Sequence, residues 1–188
     1  MSHHALVVIA PGCEELEAVA SIDILVRGGI KVTVASVCPQ GRLQVTASRG
    51  VKLVADVLLE EVAEQSFDLI LLPGGLPGAE YLRDTPQLIH MLKAQQARGG
   101  WRAAICATPA VVLAHHDLIG SAKVTGYPGT EGKLPASGYR NESVVVDEAQ
   151  RLITSQGPGT AVAFALAAVR MLEGKTIADK VAVGMVLQ

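Results

Sequence analysis

Apolar residues follow two different periods along the chain, and the periods alternate. Ala5–Ala10 (ALVVIA), Leu69–Leu72 and Trp101–Ile105 are short runs, apolar almost throughout, as strands buried on both faces require. Lys31–Ser36 (KVTVAS) predicts a further strand. Between these runs, apolar residues recur three and four positions apart. Glu14–Arg27 predicts a helix with Leu16, Val19, Ala20 and Ile24 on its apolar stripe, ended by Gly28-Gly29. Pro86–Arg98 repeats the pattern with Leu88, Ile89, Leu92 and Ala97, and Thr108–His115 and Thr176–Val186 are also helical in character. Gly159–Glu173 is apolar nearly all round, which places it deep in the packing or at an interface. Leu43–Val54, broken at Arg49-Gly50, predicts a hairpin, and Val144–Asp147 and Leu152–Thr154 are two short strands around an Asp-Glu-Ala-Gln turn. Thr125–Gly138, rich in Gly, Pro and polar residues, predicts an excursion over the surface.

Strands alternating with helices of this length imply βαβ units and a mostly parallel sheet with helices on both faces. There is no internal repeat, linker or low-complexity stretch, so residues 1–188 are expected to form one α/β sandwich domain. For a chain of this mass, the folded surface should be roughly 8,500 Å² against roughly 28,000 Å² unfolded, enough burial for a full core without disulfides or metal.

Composition narrows the functional classes. Hydrophobic residues are 49% and charged residues 18%, which excludes a disordered chain. With 16 Lys+Arg against 18 Asp+Glu, no basic cluster and 3% aromatics, neither nucleic acid nor an anionic membrane is the expected partner. The longest nearly uninterrupted apolar stretch, Thr160–Met171, is too short to span a bilayer, and the Met-Ser-His-His start lacks the basic region of a secretory signal. The cysteines, Cys13, Cys38 and Cys106, are odd in number and include no Cys-x-x-Cys, so the expectation is a cytoplasmic protein with neither a disulfide framework nor a zinc site. His3 and His4 fall in an expected frayed terminus, His90 within a helix and His115-His116 at a helix end, with no metal-binding spacing.

In sheets of this kind, sites form at the carboxyl ends of strands. Those ends carry Pro11-Gly12-Cys13-Glu14-Glu15-Leu16-Glu17, Pro73-Gly74-Gly75 and Cys106-Ala107-Thr108-Pro109. The stretch Ala103–Ala110 runs from an apolar strand through Cys106 directly into a helix among small residues, the form of a nucleophile elbow. A thiol at a helix N-terminus is expected to have a lowered pKa, although a buried strand-end cysteine would read the same. Glu17 could be a partly buried carboxylic acid that donates to a thiolate or moves a proton, but by sequence alone a solvated helix-start charge fits as well or better. Gly74 and Gly75 could present backbone amides to an oxyanion or simply end a strand. Gly157-Pro158-Gly159-Thr160 does not fit a dinucleotide fingerprint and more simply starts a helix.

At these residues the chain resembles the ThiJ/PfpI superfamily, in the branch of the parkinsonism-associated protein deglycase and its bacterial homologues. The resemblance covers Ala5–Val19, Gly28–Val34, Leu71–Ala79, Ala103–Ala107 and Thr154–Thr160 with the apolar helix that follows. It implies a flavodoxin-like three-layer sandwich, a homodimer, no cofactor, an oxidation-sensitive nucleophile at Cys106 and a protonated Glu17 bonded to it. It also implies that the Gly74, Gly75 and Ala107 amides face the site, and that Arg27, Arg49, Tyr127 and Pro158 lie near the pocket or the dimer contact, Arg49 close to the partner's site. Two positions depart from the pattern. Family proteases carry His directly after the nucleophile where this chain has Ala107, which argues against a peptidase, and Tyr127 stands where the parkinsonism-associated protein has a histidine. The resemblance implies a cofactor-independent enzyme acting on methylglyoxal, glyoxal and their protein adducts to give 2-hydroxy acids. The alternative is a stress-response sensor or redox-regulated chaperone in which Cys106 oxidises to sulfinate.

Overall fold

The computed structural model describes residues 2–187, and Met1 and Gln188, included in the one-domain expectation, lie outside the described residues. A seven-stranded sheet forms the middle layer. In chain order its strands are β1 (His4–Ile9), β2 (Lys31–Ser36), β5 (Val57–Leu58), β6 (Leu69–Leu72), β7 (Trp101–Ile105), β8 (Val144–Asp147) and β9 (Leu152–Ser155). They lie side by side in the order β5-β2-β1-β6-β7-β9-β8, all parallel except β8, which runs against β9. The remaining strands, β3 (Gln44–Thr46) and β4 (Lys52–Val54), form the expected hairpin as a separate antiparallel ribbon, with Val45 opposite Leu53.

Alternation along the strands divides two cores. Ala5, Val7 and Ile9 face one side, where α1 (Glu15–Arg27), α4 (Ala161–Glu173) and α5 (Lys175–Gly184) supply Ala18, Ile24, Phe164, Ala168 and Val181. Leu6, Val8 and Ala10 face the other, packed with Leu82 of α2 (Gly78–Arg83) and Leu88 and Leu92 of α3 (Pro86–Ala97). Burial on both faces is why these strands read as unbroken apolar runs. The folded surface is 8620 Å², close to the expectation from mass. Among the described residues, no helix is long and apolar enough to cross a membrane.

Several local expectations change. His3 and His4 are not frayed: His4 opens β1 beside Lys31, its N–H donating to Asp68 Oδ2 (2.7 Å), and His3 Nδ1 lies 2.8 Å from Glu173 Oε1. The neighbouring strand supplies partners that a terminal sequence cannot reveal. Both β5, only two residues long, and α2, which follows a Pro- and Gly-rich turn, are too short to show a period. Pro109–Ala114 is a π-helix rather than an α-helix, and α4 begins only after a 3-10 turn at Pro158–Thr160. The 125–138 segment is only partly superficial, since Thr125 and Leu134 are buried and Val124 bridges Tyr139. Arg102, fully buried in β7, donates to the carbonyls of Leu118 (2.5 Å) and Gln150 (2.8 Å), tying two loops across the strand that carries Cys106.

Candidate active site

The strand order reverses direction between β1 and β6, so a crevice opens at their carboxyl ends. The chain leaves β1 through Gly12 and Cys13, whose backbones bond to the ribbon: Gly12 N–H donates to the Thr46 carbonyl and Ser48 N–H to the Cys13 carbonyl, each at 2.8 Å. Glu14 then caps α1, its side chain accepting the Glu17 N–H at 2.7 Å, while its own N–H donates to the Gly74 carbonyl at 2.9 Å. These bonds set the rotation of α1. The buried stripe is Glu17, Ala18, Ser21, Ile24 and Leu25, whereas Leu16 and Val19 of the expected stripe are 55% and 48% exposed. Apolar residues occupy more than one side of this helix, so of the expected stripe Ile24 is buried while Leu16 and Val19 are not. Glu15 stays at the surface, accepting from Ser48 Oγ (2.8 Å) and Arg49 N–H (2.7 Å). Glu17, read more simply as a solvated charge, is instead fully enclosed, and its Oε2 accepts the Gly74 N–H at 2.7 Å.

Cys106 sits at the end of β7 with φ 65°, a left-handed conformation that costs a non-glycine residue of order 1 kcal/mol or more and persists only where the surroundings impose it. Here Cys106 N–H donates to the Ser155 carbonyl (2.9 Å) and its own carbonyl accepts the Tyr127 N–H (2.8 Å). Thr108 fixes the other side of the elbow: its Oγ1 accepts the Ile105 N–H (3.1 Å) and lies within hydrogen-bond distance of the Leu72 and Ile105 carbonyls. Sequence reasoning gave Thr108 no role, although a Thr directly before the first helical proline is a recognisable anchor. Gly74 is where the three segments converge. A Cβ there would stand 2.6 Å from Cys106 Cβ and 2.9 Å from Glu17 Oε2, so only glycine fits between thiol and carboxyl.

Burial pushes the Glu17 carboxyl up to about 7; the Gly74 amide opposes the rise and the charge of Glu14 adds to it. Burial, followed by the negative charge of Glu17, pushes Cys106 up to about 12, while the Gly75 and Ala107 amides act in the opposite sense. The expected lowering of the thiol by a helix N-terminus is therefore overturned, because desolvation and a neighbouring carboxylate outweigh the amides. Two negative charges cannot share this enclosure. The pair titrates as a unit, and between the two steps it holds one proton and one negative charge. Glu17 Oε1 is buried with no hydrogen-bond partner, which leaves it free to carry the proton that the pair holds. Glu14→Gln should lower the Glu17 midpoint below about 7, because it removes a charge that disfavours ionisation, while weakening the helix cap by about 1 kcal/mol. Carbon-detected NMR titration of the Glu17 carboxyl checks this, and an unmoved midpoint would refute it.

The other expected site residues separate. The Gly74 N–H holds Glu17, whereas the Gly75 and Ala107 amides favour the ionised form of the thiol. Tyr127 is half exposed; its N–H donates to the Cys106 carbonyl, and its ring lies 3.4 Å from the position of a Cβ on Gly157, immediately before Pro158. Arg49 sits in the ribbon turn beside the start of α1. Arg27 lies at the far end of that helix, about 18 Å along its axis, paired with Asp23 at 2.7 Å. Cys13 is fully buried and burial pushes it up to about 11; Cys38, beyond β2, donates to Gln40 Oε1 at 3.0 Å. All three cysteines are free.

Known proteins resemble this chain in sequence and in fold. The chain is 45% identical over 176 residues to Protein DJ-1 homolog A of Arabidopsis thaliana, covering 94% of this chain but 44% of that protein, so it spans less than half of that relative. It is 40% identical over 173 residues to the glutathione-independent glyoxalase DJR-1.2 of Caenorhabditis elegans, covering 90% of this chain and 89% of the relative. The solved structure of oxidised Toxoplasma gondii DJ-1 superposes with a TM-score of 0.95 at 41% identity, covering 99% of each chain. That neighbour shares the flavodoxin-like sandwich expected from sequence. The DJ-1/PfpI family pattern matches residues 3–171, and the chain belongs to that family.

Proposed function

We propose that the protein is a cofactor-independent, cysteine-dependent enzyme that converts methylglyoxal and glyoxal, free or as protein adducts, to 2-hydroxy acids. The observation that carries this reading is the Cys106 elbow packed against a buried Glu17 whose carboxyl is pushed up to about 7. A carboxyl poised there can give and take a proton near neutrality.

In this mechanism Cys106 Sγ adds to the aldehyde carbon of methylglyoxal, and the oxygen takes the proton shared by the pair, giving a hemithioacetal. The Gly75 and Ala107 amides, which act on the sulfur, stabilise negative charge on the adjoining oxygen. Glu17 removes the hydrogen from the former aldehyde carbon and returns a proton to the neighbouring ketone carbon. One carbon is oxidised as the other is reduced, leaving a lactyl thioester, which water cleaves to lactate and free thiol. An adduct on a protein side chain reaches the same intermediate once the aldehyde carbon is transferred to sulfur. The similarity to a relative named a glutathione-independent glyoxalase supports this substrate class. Ala107, in place of a histidine following the nucleophile, argues against peptidase action.

A homodimer, in the cytoplasm, belongs to the same proposal. Leu16, Val19 and Val26 of α1 and Val51 and Val54 of the ribbon are all exposed in the single chain, and exposed apolar residues gathered on neighbouring elements suit a contact with a second copy. The sensor reading draws on the same groups, since a protonated Glu17 and two amides can hold oxygens added to Cys106, and the Toxoplasma gondii neighbour was solved oxidised. Turnover separates the two. With protein far below substrate, no glutathione and a chelator present, the enzyme yields many equivalents of lactate; consumption of one equivalent or less, without lactate, would leave the sensor.

A further inference from the structure

A second concavity lies at the β8 edge of the sheet, between β8, α4 and α5. Its volume is about 540 Å³, within the range of small-molecule sites. Val144 and Val146 of the strand, Leu166 and Met171 of α4 and Ala178 and Ala182 of α5 make an apolar wall. Ala163 and Ala167 leave the space open, since larger residues at these positions would project into it.

Three charged side chains reach this otherwise apolar space: Glu148, Arg170 and Asp179. Asp179 is spent on Lys175 at 2.5 Å. Arg170 and Glu148 are not spent. Among the described residues the ion pairs are His3–Glu173, Arg27–Asp23, Arg83–Asp84 and Lys175–Asp179, so Arg170 and Glu148, both at the exposed rim, take part in none of them. An apolar concavity bordered by two unspent charges of opposite sign calls for an occupant with an apolar body and both charges. A simple carboxylate would answer Arg170 and face Glu148 with like charge; an amine would do the reverse.

We propose that this cavity binds a free α-amino acid with an apolar side chain, its carboxylate on Arg170, its ammonium toward Glu148 and its side chain against Val144, Val146, Leu166 and Met171. The bidentate geometry of a guanidinium suits a carboxylate, and the aliphatic floor suits leucine or methionine. None of the residues lining this cavity belongs to the Cys106 site.

Titration with L-leucine and L-methionine, followed by amide NMR and calorimetry on the full chain, tests it. Saturable binding in the millimolar range or tighter is expected, with shifts confined to β8, α4 and α5. Arg170→Met and Glu148→Gln should each weaken binding about 10-fold, as loss of one charged partner does. Ala167→Phe should abolish binding without altering turnover at Cys106. Three comparison ligands isolate the charges: 4-methylpentanoate lacks the ammonium, leucinamide lacks the carboxylate and N-acetyl-leucine has a neutral nitrogen. All three should bind at least several-fold more weakly than leucine. No saturable leucine binding, equal affinity for 4-methylpentanoate, or binding unchanged by both charge variants would each overturn the proposal.

Discussion

Cys106→Ser should lower lactate formation from methylglyoxal by at least about 10³-fold while leaving the fold intact. The hydroxyl is nearly the size of the thiol, and the elbow depends on backbone bonds to Ser155 and Tyr127 rather than on sulfur. The chemistry depends on sulfur alone. A carboxyl with a midpoint near 7 can exchange a proton with a thiol but is far too weak a base for an alcohol, and among the described residues no histidine bonds to this position to serve instead. Single-turnover measurements with circular dichroism and thermal unfolding alongside check both halves. Residual turnover within about 10-fold of the parent would move the nucleophile elsewhere.

Glu17→Gln should reduce turnover by about 10²-fold, the usual contribution of a positioned proton-transfer group, and should also alter how stability depends on pH. The glutamine oxygen can still accept the Gly74 N–H, so the variant is expected to fold. In the parent, the folded-state midpoint is raised from 4.5 to about 7. The folded chain therefore holds a proton that the unfolded chain has already released between those values. The stabilisation from the buried neutral acid is complete below about pH 4.5 and is lost as pH rises through 7, a difference on the order of 3 kcal/mol. Glutamine has no such loss, so denaturant unfolding at pH 5 and pH 8 should show the variant gaining on the parent by that order of energy. A constant difference across this range would mean that Glu17 is ionised in the folded protein at pH 5. Cys106 contributes little in this window, because its thiol is protonated in the folded chain and, with an ordinary value of 9.0, mostly protonated in the unfolded one.

Much of the architecture was legible because burial on both faces leaves a plain trace. Ala5–Ala10, Leu69–Leu72 and Trp101–Ile105 read as strands since every position must be apolar, and the observed β1, β6 and β7 fall on them. The helix of residues 15–27 was legible in extent but not in orientation. Leu16 and Val19 suggested an apolar stripe, yet capping by Glu14 and packing against α4 turn Glu17 and Ser21 inward. Elements of two to six residues, such as β5 and α2, carry too few positions for a period and exist only because neighbours hold them. The opening histidines show the same effect, since His4 becomes a strand residue only when β2 and Asp68 lie beside it.

For the candidate site, the sequence by itself determined the parts: a cysteine on a strand-to-helix turn, an acid at the start of the first long helix, and glycines ending a third buried strand. These are matters of local chain chemistry, which neighbouring residues encode directly. The tertiary structure decided everything that makes the parts reactive. It brought Gly74 between Cys106 and Glu17, enclosed the carboxyl so that its midpoint rises to about 7, and reversed the expected lowering of the thiol. Desolvation and charge–charge interaction act through space, here between Glu17 and a Gly74 backbone 57 residues away, and no local pattern records that distance.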